Sequence, residues 1–503
     1  MRNFIIDHRI KLTIVSICLL FSLGVLSQEK EEKKPVIPAP VSFSSTGEVS
    51  IDGKPLKYRT VSEEIHLKGK DGESTASIWS ISYFAQTTTQ DRPVMFIFNG
   101  GPGSASVWLH MGFFGPKVVK VPSGADRDDG AAPYTVTSNE QCLLDVTDLV
   151  FIDPVGTGYS RVVGKGENKD YWGLMEDARS VADFIRIWIT KHNRWASPKY
   201  VAGESFGTTR AAAVSEVLEG NGQNVALNGI VMISQALDYA GSTSVPDNIT
   251  SFLTYLPSMA ATSWYHKKAG SGKTLEAFVE EAREFTYETY APALYRGARL
   301  SEDKKDGVAD RLAYFTGLDK SYILRSDLRV MIPRYQKKLL EEEGLTIGRL
   351  DGRYMGQEAD QTANRPTLGD ASGYQTSGAY TAAMNHYLLN DLNVKMDRPY
   401  FTGGQVKGWK WRTVPEGGYY EPSYVNTGRS LANSMRRNTE MKVMVASGYY
   451  DLITPFFDAE YTFSRNGIPH DRIEFTYYEG GHMMYNHQAS FDQLANDIRA
   501  FLE

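Results

Sequence analysis

Tyr200-Val201-Ala202-Gly203-Glu204-Ser205-Phe206-Gly207 reads as a short apolar strand running into Gly-x-Ser-x-Gly, and residues 208–218 continue it as a helix. A nucleophile elbow needs this context, because its glycines permit a turn tight enough to lift the serine oxygen above a sheet at a helix N-terminus. Ser205 is therefore the candidate nucleophile. A serine at its free pKa is weak, so an imidazole must take its proton and a carboxylate must hold that imidazole in the right tautomer. In elbow-bearing sheets the acid and then the histidine follow the serine along the chain. His266, His386, His470, His482 and His487 all qualify by order. His482 stands in Glu479-Gly480-Gly481-His482, directly after a strand at 473–478, whereas His470 falls in a polar turn. Asp451 follows the strand 443–445 and the turn Ser447-Gly448-Tyr449-Tyr450, while Asp458 falls in the next helix. One helix and one strand fit between Asp451 and His482.

Working outward, Val94-Met95-Phe96-Ile97-Phe98 and Leu149-Val150-Phe151-Ile152 are apolar throughout and end at Asn99-Gly100-Gly101-Pro102-Gly103 and Asp153-Pro154. Such runs are the pattern of central parallel strands. Apolar residues at three- and four-residue intervals over 174–189 describe an amphipathic helix, and 229–234 gives another strand. The repeated strand-helix-strand order predicts an α/β fold, a mostly parallel sheet with helices on both faces. Residues 47–84 alternate around Asp-Gly turns as antiparallel strands. The rhythm breaks between 236 and 398, where charged helical stretches (275–290, 328–343) and Gly/Tyr-rich loops carry no clear buried strand, so this segment reads as a largely helical inserted cap. The core is thus expected in two parts, 47–235 and 399–503, the second with a helix near 423–437, strands at 443–445 and 472–477, and a helix at 489–502. Acyl transfer also needs donors aimed at the developing oxyanion. The backbone N–H of Phe206 and that of Gly101, in the turn after 94–98, are the candidates.

A chain of 503 residues, 42% apolar and 23% charged, is neither disordered nor a disulfide-stapled miniprotein. Its net charge of -6 gives no basic excess for nucleic acid. Arg2, Arg9 and Lys11 precede an apolar run over 12–26, and Val25 and Ser27 suit a cut after Ser27. Residues 1–27 read as a signal peptide of a secreted or periplasmic protein, with a retained anchor as the alternative; the run is shorter than the ~20 residues a bilayer span needs, so no stable membrane insertion is expected. The polar segment 28–46 reads as a flexible arm. Of two cysteines, Cys18 lies in the leader, leaving Cys142 without an internal disulfide partner. No zinc, phosphate-loop or other metal or cofactor motif occurs, and none is expected.

Taken together, Asn99-Gly100-Gly101-Pro102-Gly103, Gly115-Pro116, Asp153-Pro154-Val155-Gly156-Thr157-Gly158-Tyr159-Ser160, Gly203-Glu204-Ser205-Phe206-Gly207, Asp451 and Gly481-His482 resemble the serine carboxypeptidase family of α/β hydrolases. The match runs in order across 47–235 and 423–503, and only loosely through the cap. The resemblance implies peptide substrates with a free C-terminus, a Ser205–Asp451–His482 triad, an oxyanion hole at Gly101 and Phe206, and a substrate carboxylate bound by Asn99 and Glu204. Two carboxylates repel, so one must hold a proton, which favours mild acid. The family's second glutamate, fourteen residues after the asparagine, is Phe113 here. Its usual cysteine after Pro-Gly is Ser104, and its disulfides are missing, as suits a bacterial-type relative. An esterase or acyltransferase using the same triad, and an inactive binding module keeping the fold, are the alternative readings.

Overall fold

Side chains alternate across a strand, so a run that is apolar at every position must serve two cores. In the 94–98 run Met95 and Ile97 face one apolar cluster, and Val94, Phe96 and Phe98 face another. The computed structural model describes residues 37–87, 91–125, 130–220, 222–412 and 424–503. The expected leader, and residues 28–36 of the expected arm, lie outside the described residues.

In chain order come strands β1 (Ser42–Ile51), β2 (Lys54–Lys68), β3 (Ser74–Ala85), β4 (Val94–Phe98) and β5 (Asp148–Asp153), helix α1 (Leu174–Lys191), strand β6 (Lys199–Ser205), helix α2 (Phe206–Glu219) and strand β7 (Gly229–Gln235). Helices α3 (Ile249–Tyr265), α4 (Leu275–Phe285), α5 (Glu302–Thr316) and α6 (Ala371–Asn390) follow among shorter turns. The chain then returns through α7 (Gly428–Arg437), β8 (Lys442–Gly448), α8 (Phe456–Arg465), β9 (Ile473–Tyr478) and α9 (Gln488–Leu502). The sheet order is β1-β2-β3-β5-β4-β6-β7-β8-β9, with Arg161–Val162 as a tenth strand on β3. From β1 to β5 neighbours are antiparallel; from β5 to β9 all are parallel. Helices cover both faces, α1, α2 and α7 on one and α6 and α9 on the other. This is the α/β-hydrolase fold. Because β4, β6, β8 and β9 run parallel, the residues after their C-terminal ends gather along one edge, where open α/β sheets bind ligands.

Four sequence expectations need correction. Residues 42–46, read as arm, are strand: β1 pairs with β2 from Ser42 opposite Glu63 to Ile51 opposite Lys54. Its apolar residues, Phe43, Val49 and Ile51, share one face, and polar residues between them hid the period of two. In the 236–398 segment, where no clear buried strand was expected, Leu345–Ile347 and Met355–Gln357 form a small antiparallel pair. The Gly/Tyr-rich stretch there becomes α6, whose Tyr380, Met384, Tyr387 and Leu388 pack into the sheet's own core. By contrast, α3, α4 and α5 bury Tyr255, Phe278, Leu312 and Phe315 in a third cluster that also takes in Leu452, and α3 and α4 share a smaller one with Tyr450, Phe456 and Phe457. The expected 328–343 helix begins at Ile332, since Pro333 suits a first turn. No helix of the described residues is long and apolar enough to cross a membrane.

Candidate active site

Strand β6 passes into α2 through Ser205 at φ 59° and ψ -129°, a backbone region that non-glycine residues avoid without surrounding support. That support is close packing. A β-carbon on Gly203 would lie 2.3 Å from the Gly207 carbonyl oxygen, and one on Gly100 would lie 2.5 Å from the Phe206 nitrogen. The Asn99–Gly103 turn therefore lies against the first backbone N–H of α2, and Gly101 lines the cavity beside Ser205. The guanidinium of Arg210, one turn along α2 and fully buried, ties this turn down: it pairs with Asp177 of α1 at 2.6 Å and donates to the Asn99 carbonyl.

The cavity, about 730 Å³, also holds His482. None of the other four histidines lines it. His482 Nδ1 lies 2.8 Å from Asp451 Oδ2, and both side chains are buried. Asp451 in turn accepts from the Ile453 and Thr454 amides at 2.7 and 2.9 Å and from the Thr454 hydroxyl at 2.8 Å, which fixes the carboxylate. Burial pulls the His482 pKa down, but the charge and hydrogen bond of Asp451, helped by Glu204, raise it above the ordinary value; Arg349 opposes them. Asp458, by contrast, is enclosed in α8 outside the cavity, where burial pushes its carboxyl up to about 8.

The loops bearing Asp451 and His482 are both fastened to residues 349–352. His482 N–H donates to the Leu350 carbonyl at 2.6 Å, Leu452 N–H to the Arg349 carbonyl at 3.1 Å, Gly352 N–H to the Tyr450 carbonyl at 2.9 Å and Gly481 N–H to Asp351 Oδ2 at 3.1 Å.

Beside Ser205, Asn99 Nδ2 donates to buried Glu204 Oε2, and Asn99 Oδ1 accepts from the Leu109 amide at 3.0 Å. Tyr485, which sequence reasoning missed, donates its hydroxyl to both Glu204 oxygens, at 3.1 and 3.0 Å. Burial pushes the Glu204 carboxyl up to about 7, against the His482 charge and the bonds from Tyr485 and Asn99; Asp451 adds to the rise. Phe113 supplies no polar group: its ring stacks on Tyr485 at 5.9 Å and packs against Phe114 and Phe491. The only sign of Tyr485 in the sequence was its place three residues beyond His482. Cys142 is free and buried, and burial pushes its thiol up to about 12.

A family model described as serine carboxypeptidase matches residues 67–483. Among curated proteins, serine carboxypeptidase-like 7 of Arabidopsis thaliana is 26% identical over 211 residues, covering 41% of this chain and 44% of that protein. Serine carboxypeptidase-like 16 of the same plant is 30% identical over 166 residues, covering 31% of this chain and 37% of that protein. The chain thus spans less than half the length of these relatives. Among solved structures, a proline iminopeptidase from Mycobacterium smegmatis aligns over 88% of this chain and 97% of its own, at 13% identity and a TM-score of 0.33. A soluble variant of the Saccharomyces cerevisiae monoglyceride lipase aligns over 88% and 94%, at 11% identity and 0.35. The family model covers most of the chain and spans the elbow, the Asn99 turn, Asp451 and His482, and on that match this chain belongs to the serine carboxypeptidase family.

Proposed function

We propose that this protein is a serine carboxypeptidase acting on peptides with a free C-terminus. Ser205 Oγ attacks the last peptide carbonyl while His482 takes its proton, with Asp451 holding the imidazole. The Gly101 and Phe206 N–H groups face the oxyanion. His482 then protonates the departing amine as the C–N bond breaks, and water attacks the acyl carbon while giving a proton to His482, which returns it to Ser205 Oγ as the acyl group leaves. Asn99 and protonated Glu204 hold the terminal carboxylate. The observation that carries this reading is the buried Asn99–Glu204 pair beside a serine elbow that shares its cavity with the His482–Asp451 pair.

One observation favours a second reading. Phe113 leaves Glu204 without a second carboxyl to share its proton, so an esterase or acyltransferase with the same triad stands as the rival. The experiment compares a blocked dipeptide acid with its amide and its ester. We expect the acid to be preferred below about pH 7, and Ser205→Ala to lower turnover by roughly 10⁴-fold or more. Equal handling of acid and amide at every pH would favour the rival.

In this reading 236–398 works as a cap over the strand ends, apart from α6, and the lone Cys142 agrees with a bacterial-type relative lacking disulfides. The charged, apolar and small-residue zones of 1–27 support export to the periplasm or medium. Protein from the native host should then begin near Gln28; an intact Met1 would reject export with cleavage.

A further inference from the structure

Asn99 and Glu204 occupy one wall of the cavity, with Trp108 and α6. Ser242–Ser244, Tyr255, Ile332 and Ile453 form a second wall, braced separately: Tyr255 donates to the Ser242 and Ile453 carbonyls, both at 2.9 Å, and the Ile332 amide donates to Ser244 at 3.0 Å. If the terminal carboxylate goes to Asn99 and Glu204, the acyl side of the substrate extends toward this second wall. Apart from Glu204 and His482, Arg349 is the one ionisable acidic or basic side chain lining the cavity.

The backbone of Arg349 is held at both ends of the residue, its N–H donating to Asp370 at 3.1 Å and its carbonyl accepting from Leu452 at 3.1 Å. It lines the same cavity as Ser205 and His482, and its charge works against the raised pKa values of Tyr255 and His482. In the same loop Arg353 is neutralised by Asp351 at 2.7 Å. Among the described residues no carboxylate lies within ion-pair distance of Arg349, and it remains exposed to the cavity. An arginine fixed by its backbone beside a nucleophile, and lacking an internal counter-ion, is arranged for an incoming anion, since guanidinium binds carboxylate with paired donors.

We propose that Arg349 is a specificity-determining residue that selects substrates carrying a carboxylate on the acyl side of the scissile bond, foremost an acidic residue next to the C-terminal one. The proposal rests on Ser205 as nucleophile, and its peptide form rests also on the carboxypeptidase reading.

The test measures kcat/KM for blocked dipeptides with Glu, Gln or Lys before a common C-terminal residue. In parallel it compares a 4-nitrophenyl ester of butanoic acid with the 4-nitrophenyl half-ester of glutaric acid, which needs only the triad. Wild type should favour Glu over Gln, and the half-ester over the butanoate, by about tenfold, the size of one charge-assisted hydrogen bond, and the ratio should shrink with added salt. Arg349→Gln should bring both ratios near one, Arg349→Lys should keep part of them, and Arg349→Glu should favour Lys. A merely structural role would not invert the preference. Wild-type ratios near one, or ratios unchanged in Arg349→Gln, would overturn the proposal. The wild-type ratio decides even if a variant does not fold. Turnover of the esters without any peptide would sink the carboxypeptidase reading alone, leaving the half-ester ratio to judge Arg349.

Discussion

Around Glu204, burial favours the protonated carboxyl, while Tyr485, Asn99 and His482 favour the ionised one. The balance, at about 7, sets the sign of the pH response. In the proposed reaction, below it the protonated carboxyl donates to the substrate carboxylate and above it the ionised group repels that carboxylate. KM for free-acid peptides should therefore rise as pH passes upward through 7, while matching amides are spared. As pH falls, His482 gains a proton and ceases to be a base, at a pH set by its raised pKa. Tyr485→Phe removes a donor that favours the ionised form. A hydrogen bond to a charged group is worth about 1.5–3 kcal/mol, so the alkaline limb for acids should move up by roughly one pH unit. Profiles of KM against pH check this; an unmoved limb would show that Tyr485 does not tune Glu204. Ser205, Asp451 and His482 were legible because each follows a strand end that apolar runs disclose. Tyr485 and Arg210 were not, because their roles depend on a loop folding back and on the close approach of two helices.

Helix α6 shows how packing overrides local preference. Its Gly373, Gly378 and three tyrosines weaken a helix reading from sequence, yet Tyr380, Tyr387 and Met384 gain burial only at helical spacing. Its start is fixed by Asp370, which accepts from the Ser372 amide at 3.0 Å and the Ser372 hydroxyl at 2.6 Å. The same carboxylate accepts from the amides of Arg349 and Leu350, at 3.1 and 2.8 Å. Asp370→Ala should therefore cost more than the ~1 kcal/mol of an ordinary cap, about 2–4 kcal/mol in all, because two further donors are stranded. Urea denaturation measures it, and a loss below about 1 kcal/mol would mean that water replaces the carboxylate. The central strands were readable for the opposite reason: a run buried on both faces needs no periodicity to stand out.

Across the whole molecule, the sheet carries one apolar cluster on each face, while α3, α4 and α5 close around a third. That third core was not legible, since the charged stretches of the inserted segment mark helices without showing which of them pack together. Clusters that do not share residues can open separately, each at its own free energy. The loops bearing Asp451 and His482 grow from the sheet, yet they are fastened by four hydrogen bonds to residues 349–352, which lie in the inserted segment. Those bonds act as a latch between the sheet and the inserted segment. Opening of the inserted segment would free the imidazole loop before any strand separates. On heating, enzymatic activity should accordingly disappear several degrees below the loss of far-ultraviolet sheet signal, and return on cooling from that interval. In hydrogen exchange the amides of Gly352, Leu452 and His482 should open together, ahead of those in β4 and β6. Coincident loss of activity and sheet signal would show that the two parts melt as one. If they separate, selection for heat tolerance would act first on the latch, and the sheet would hold stability in reserve that catalysis never draws on.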